Sequence, residues 1–197
     1  MSDLEAHLKA GGLVVLAGDA LRDGDLDLAA AASRITPEAI AFMAREGRGL
    51  ICLGLSVERA SALGIGLQLS EGHSRSGRPF GRSIEAAHGV TTGISAADRA
   101  HTIKVAVDPA TDPADLVSPG HIFPLIADPA GPRARLSTLE AGLALMHHHG
   151  LGEGVVLCAM LRDEGSMARL SEKRGWAGDN GIPVIDIREW VDAHVGK

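Results

Sequence analysis

Four short apolar runs constrain this chain most: residues 13–17, 50–55, 122–127 and 155–160 are each long enough for one buried strand and too short for a buried helix. Helix-start signals lie between them. Thr36-Pro37-Glu38 sets an N-cap, a first-turn proline and an early acid ahead of residues 39–45. Ser56 caps a short helix that ends near Gly64, and Ser95 caps a helix over residues 96–107 that Asp108-Pro109 stops. Ser137-Thr-Leu-Glu140 has capping-box spacing for a helix running to His149, with Gly150 as its stop. Residues 83–87 and 183–185 read as further strands, and residues 187–195 as a last helix. Residues 18–27 and 163–165 read as turns, and residues 70–81, rich in Ser, Gly, His and Arg, as a long mobile loop suited to an active-site lid. Strands alternating with helices predict an α/β (α+β) fold, a mixed sheet with flanking helices, in one domain over residues 1–197.

Composition excludes some partners. Hydrophobic residues make up 45% of the chain and charged residues 22%, enough for a buried core. A formal net charge of -6 argues against nucleic acid or an anionic membrane surface, since both need a basic face, but leaves an anionic small molecule open. No apolar stretch approaches the roughly 18 residues of a membrane helix. The start, Met1-Ser-Asp-Leu-Glu-Ala-His7, lacks a basic region followed by a long apolar one, so a cytoplasmic location is expected. Cys52 and Cys158 sit in apolar runs and read as buried thiols on adjacent strands.

Five groups of residues carry candidate chemistry. Gly24-Asp25 follows the first strand, where ligands bind in α/β sheets, and Asp25 serves there as a proton acceptor or as ordinary turn chemistry. His121, in Pro119-Gly-His121, precedes a buried strand and either meets a phosphate, carries a proton, or is structural. Arg135 beside the helix start at Ser137 and Thr138 makes a phosphate cradle, or a plain cap with a surface arginine. Arg75, Arg78 and Arg82, with His73, close over an anion or remain solvated loop charge. His147-His148-His149 splay around a helix and do not converge on a metal; the helix C-terminus favours them as cations.

Several runs extend the reading: Gly89-Val-Thr-Thr-Gly-Ile-Ser-Ala-Ala-Asp-Arg99, Pro119-Gly-His-Ile-Phe-Pro124, Thr36-Pro-Glu-Ala39, Gly47-Arg-Gly-Leu-Ile-Cys-Leu53 and Gly165-Ser-Met-Ala-Arg169. In this order they resemble the 3,4-dihydroxy-2-butanone 4-phosphate synthase family of riboflavin biosynthesis. The resemblance runs from about Leu13 to about Val191. It implies that family's fold, a homodimer with protomers paired around the active sites, and a magnesium-dependent conversion of ribulose 5-phosphate to 3,4-dihydroxy-2-butanone 4-phosphate and formate.

The family's acidic pattern Arg-Glu-Asn-Glu-Gly-Asp is expected on Ala20, Leu21, Arg22, Asp23, Gly24 and Asp25, which loses the substrate-binding arginine at Ala20 and the metal-binding glutamate at Leu21. The pattern Arg-Gly-Gly-His-Thr-Glu falls on residues 135–140, turning its metal-binding histidine into Thr138, and the pair Cys-Glu becomes Cys158-Ala159. Magnesium needs oxygen ligands, and leucine offers none. The expectation is therefore no metal and no cofactor. The chain would be a divergent homologue that has lost the ribulose 5-phosphate chemistry. It would work as a metal-independent enzyme on a phosphorylated or anionic small molecule, with Asp23, Asp25, Cys52 and His121 as catalytic groups, or as a catalytically silent partner. In either case Arg135, Ser137, Thr138, Arg75, Arg78 and Arg82 would bind the anion. The alternative is a genuine synthase with an atypical metal site at Asp23 and Asp25.

Overall fold

The computed structural model describes residues 3–22, 24–68 and 77–196. The apolar runs form the strands expected of them: β1 (Val14–Asp19), β3 (Arg48–Leu55), β5 (Leu116–Ile126) and β6 (Gly154–Met160). Short strands β4 (Ile84–Ala86) and β7 (Val184–Asp186) complete the expected set. One strand, β2 (Asp25–Ala31), falls partly in residues read as a turn. Aspartate and alanine are poor strand formers, so propensity hides it. Burial between two neighbours makes it a strand nonetheless, and all seven of its residues are buried.

The sheet runs β4-β5-β3-β6-β2-β1-β7. β1–β2, β2–β6, β3–β6 and β4–β5 are antiparallel, while β1–β7 and β3–β5 are parallel, so the sheet is mixed as expected. The turn into β2 is tight: the N–H groups of Arg22 and Gly24 both donate to the carbonyl of Asp19, and Gly24 takes φ +77°. Only glycine adopts that angle without strain.

Helices cover both faces. α2 (Pro37–Phe42) and α4 (Ala96–Val107) cover one, where Leu26, Leu28 and Ala30 of β2 meet Ile40, Ile103 and Ala106. α1 (Asp3–Lys9), α6 (Thr138–His148) and α8 (Ile187–His194) cover the other, where Ala29 and Ala31 meet Leu139, Leu145, Met146 and Trp190. α3 (Val57–Ala62), α5 (Gly131–Ala134) and α7 (Leu170–Asp179) complete the layers. The caps predicted at Thr36, Ser56, Ser95 and Ser137 are all present. Helices α1, α5 and α7 were not foreseen: two are a few residues long, and α7 is mostly polar, without an apolar stripe to betray it. The segment read as a lid lies largely outside the described residues. No helix among the described residues is long and apolar enough to cross a membrane.

Side chains alternate along a strand, and this period builds the site. Asp25 and Asp27 share the parity of Ala29 and Ala31, so they stand on the α6 face. Cys52 on β3 faces that way too, while Cys158 faces the opposite layer. Both thiols are buried on adjacent strands, as expected.

Candidate active site

The N-terminus of α6 meets the ends of β1 and β2, and buried charge collects there. Asp19 ends β1 and accepts from the Thr138 N–H through Oδ2 at 3.2 Å. It therefore fills the helix N-terminus with the protein's own carboxylate, a use the helix dipole favours. Arg22, in the β1–β2 turn, donates Nε to Asp19 Oδ2 at 2.9 Å and Nη2 to Thr138 Oγ1 at 2.9 Å. The same Nη2 bonds Asp27 Oδ2. Its Nη1 lies 3.7 Å from Asp25 Oδ2. Arg78 donates Nη2 to Asp27 Oδ2 at 2.7 Å, and Arg169 donates Nη1 to Asp25 Oδ1 at 3.0 Å. Among the described residues three aspartates thus face three arginines, and the cluster is tolerated in a partly dry setting because these charges are paired.

Electrostatics differ among the acids. Burial pushes the Asp27 carboxyl up, but Arg78, Arg22 and the Thr138 hydroxyl, 2.5 Å from Oδ2, hold it below the usual aspartate value. Burial wins at Asp25, whose carboxyl lies above the usual value although Arg22 and Arg169 pull it down. Burial also pushes the Cys52 thiol up to about 12, against the pull of Arg78.

Ser137 and Arg135 serve the helix start. Ser137 Oγ accepts from the Leu139 N–H at 3.1 Å and bonds Glu140. Buried Glu140 also accepts from the Asp128 N–H at 3.1 Å and from Arg135 Nη1 at 3.2 Å. Arg135 donates its other arm to the carbonyl of Gly77 at 2.5 Å. Arg22, Arg78, Arg135 and Thr138 line one cleft with room for about 10 Å³, roughly one water. Arg135, Ser137 and Thr138 lie together at the start of α6, with their donors engaged within the chain.

Other predicted residues stand elsewhere. Arg82 bonds the carbonyl of Gly64 at 3.1 Å and lines a separate 260 Å³ groove with Ile65 and Val117, so it does not converge with Arg78. Arg75, His73 and Asp23 lie outside the described residues. His121 is on β5, with β3 and β6 between it and β2. Its ring nitrogen Nδ1 lies 2.7 Å from Glu85 Oε2 on β4, which also accepts its N–H at 3.1 Å. The loop of residues 89–93 folds back over this pair: Gly93 leaves no room for a Cβ beside Glu85, and its N–H and the Thr91 hydroxyl both donate to Asp98 of α4. His148 packs edge-on against Trp190, His149 and His194, an aromatic cluster rather than a metal site.

Asp19, Arg22, Asp27 and Arg169 were missed: the acidic pattern was set two residues too early for Arg22 and Asp27, no motif covered Asp19, and Arg169 stood only as the end of the run of residues 165–169. Moved two residues on, Arg-Glu-Asn-Glu-Gly-Asp meets Arg22-Asp23-Gly24-Asp25-Leu26-Asp27, which keeps its arginine and all three of its acids in kind. The structure supports that register. Arg22, Asp25 and Asp27 converge, whereas Leu21 is 49% exposed and Ala20 only pairs its N–H with Leu136. A doublet of alternate acids in Asp25-Leu-Asp27 was the available signal.

The family model for 3,4-dihydroxy-2-butanone 4-phosphate synthase matches residues 2–193. The chain belongs to that family. It is 41% identical to the 3,4-dihydroxy-2-butanone 4-phosphate synthase of Neisseria meningitidis serogroup B over 96% of this chain and 52% of that protein. It is 44% identical to the synthase of Nitratidesulfovibrio vulgaris strain Hildenborough, over 94% of this chain and 87% of that one. The chain thus spans about half the length of some curated relatives and most of others. A synthase crystal structure in complex with two magnesium ions superposes with a TM-score of 0.91 at 34% identity, covering 98% of this chain and 94% of that one.

These matches correct two expectations. A divergent chain without synthase chemistry is overturned by relatives that carry the synthase name at 40–44% identity over nearly the whole chain. A cofactor-free site is overturned with it, since a synthase of this fold is seen with magnesium. The physical reason is the register: Leu21 is not the ligand position. Among the described residues no three His, Cys, Asp or Glu side chains form a ready-made metal cage. The donors present nevertheless suit a hard cation. They are the carboxylates of Asp25 and Asp27 and the Thr138 hydroxyl, and Asp27 Oδ1 is buried without a hydrogen-bond partner. Magnesium sites commonly rest on one or two carboxylates plus water and substrate. The family pattern is left at Gly24 and Leu26 in the acidic run, at residues 136–139 in the second run, and at Ala159.

Proposed function

We propose that this chain catalyses the synthase reaction of riboflavin biosynthesis, a lyase-type conversion of ribulose 5-phosphate to 3,4-dihydroxy-2-butanone 4-phosphate and formate with magnesium. The observation that carries this reading is the convergence of Arg22, Asp25 and Asp27 on the start of α6, in the order of the family's acidic pattern. Asp23 occupies the metal-binding position of that pattern and Thr138 that of the family's histidine, and these two would hold the ion. Magnesium, when bound, polarises the sugar's oxygens.

Asp25 stands at the cluster's rim with its side chain 13% exposed, so it is the carboxylate that reaches a substrate proton, while Asp19 and Asp27 are sealed behind it. Arg22, Arg78 and Arg135 line the cleft and receive the phosphorylated, anionic end of the substrate. The substrate must displace the Arg135 bond to Gly77 to enter so small a space. Cys52 remains a neutral thiol beside Arg78. The same reading takes residues 1–197 as one domain acting in the cytoplasm, where sugar phosphates are made. It also takes two copies as the working unit, with the exposed apolar residues Leu67, Ile94 and Val117 as candidates for cover. Phosphorus and carbon NMR of ribulose 5-phosphate incubated with the protein and magnesium tests the proposal: loss of substrate signal with a new phosphorylated four-carbon product is expected, and unchanged spectra with folded protein would refute it.

A further inference from the structure

We infer that Arg169 is a positioning residue that fixes the Asp25 carboxylate for the reaction, an inference that rests on the synthase reading. The two are separated by 144 residues, yet Arg169 Nη1 meets Asp25 Oδ1 at 3.0 Å. The other oxygen, Oδ2, lies 3.7 Å from Arg22 Nη1. Each carboxylate oxygen therefore has its own guanidinium, one from the turn before β2 and one from the segment between β6 and α7. A carboxylate hydrogen-bonded at one oxygen and ion-paired at the other is restricted in its rotation, which is what orientation at a reacting centre requires.

Arg169 is itself held by a small clamped hairpin after β6. The Leu161 N–H donates to Gly47, the Arg162 N–H to Ser166 at 2.7 Å, and the Ala168 N–H to Met160 at 2.9 Å. Arg162 grips Glu172 of α7 with its Nε at 2.9 Å from Oε1 and 3.0 Å from Oε2. Glu172 in turn accepts from the backbone N–H of Arg169 at 2.8 Å. The start of α7 thus engages the backbone of Arg169, while its side chain reaches Asp25. This separation makes the inference testable, because a side-chain change keeps the helix start. It also accounts for the run Gly165-Ser-Met-Ala-Arg169, whose glycine (φ +88°) turns the hairpin and whose Ala168 is wholly buried.

Arg169→Ala and Arg169→Lys, assayed with ribulose 5-phosphate and magnesium, separate positioning from substrate contact. Arg169→Ala is expected to lower kcat by up to about 100-fold with KM unchanged, and Arg169→Lys to recover part of the loss. A raised KM with kcat kept would overturn the inference in favour of a substrate contact, as would equal loss in both variants. A double-mutant cycle of Arg169→Ala with Asp25→Asn, read by urea denaturation, follows the pair without turnover. Non-additive effects are expected, and additive ones would overturn the pairing. Should the wild-type protein release no formate, the synthase reading falls separately and the cycle still decides the pair.

Discussion

Asp27 and Arg78 meet inside the protein, Oδ2 to Nη2 at 2.7 Å, and tie β2 to a segment 51 residues further along the chain. Arg22 and Thr138 approach the same oxygen, so one wholly buried carboxylate joins three parts of the fold. The site and the fold share this residue.

Replacing Asp27 with Asn would leave two largely buried guanidiniums short of their counter-charge. Breaking a buried pair in this way costs about 3–5 kcal/mol. Urea denaturation of Asp27→Asn should show a loss of that size, and a change under about 1 kcal/mol would mean that the cluster is looser than described. The pH dependence has a definite sign. Asp27 is held below its ordinary value in the fold, so its contribution is present above that ordinary value, about 3.9, and disappears as pH falls through the folded one.

How far the sequence foretells this arrangement depends on the signal. The strands at residues 50–55 and 155–160 and the caps at Ser56, Ser95 and Ser137 were legible because apolar runs and capping residues act locally. β2 was not, because its Asp-Leu-Asp-Leu opening suits a strand only when buried arginines meet the acids, and Arg78 is remote in sequence. The same blindness set the acidic pattern two residues early and led to the expectation of a metal-free chain. His121 was read as preceding a buried strand, whereas it lies within β5, and nothing local pointed to Glu85, which lies 36 residues away.

Both cysteines should be silent in the native protein. Burial pushes Cys52 up to about 12 and Cys158 up to about 11. The nucleophilic thiolate is then scarce near pH 8. A chromogenic thiol reagent should label neither residue in the folded protein within minutes and both after urea. Rapid stoichiometric labelling of folded protein would contradict the burial of Cys52.

Gly93 is a sharper probe of the loop over His121. Its φ is +80°, and a Cβ there would sit 1.3 Å from Glu85 Oε1. Gly165, at φ +88°, has open space around it, so Gly165→Ala reports strain alone. Strain of this kind costs about 1–3 kcal/mol. Gly93→Ala should lose more than Gly165→Ala in thermal denaturation, and equal losses would mean that Glu85 yields without cost.

His149 gives stability a second dependence on pH. Burial, with the neighbouring His148 and His194 and with Lys9, lowers its value, while Glu5 opposes them. A lowered histidine contributes stability that is present above the unfolded value near 6.5 and is lost as pH falls through the folded one. Between about pH 7.5 and about pH 5.5, Tm of the wild type should fall more than that of His149→Gln. Parallel curves would mean that His149 does not contribute to the pH dependence.

The synthase reaction requires a working, magnesium-dependent site around Arg22, Asp25 and Asp27. Formate release from ribulose 5-phosphate, followed with magnesium and again with a chelator in excess, tests it most directly. Steady release with the metal, its loss on chelation and its return when magnesium is restored are expected. No formate from folded protein saturated with magnesium and substrate would contradict it.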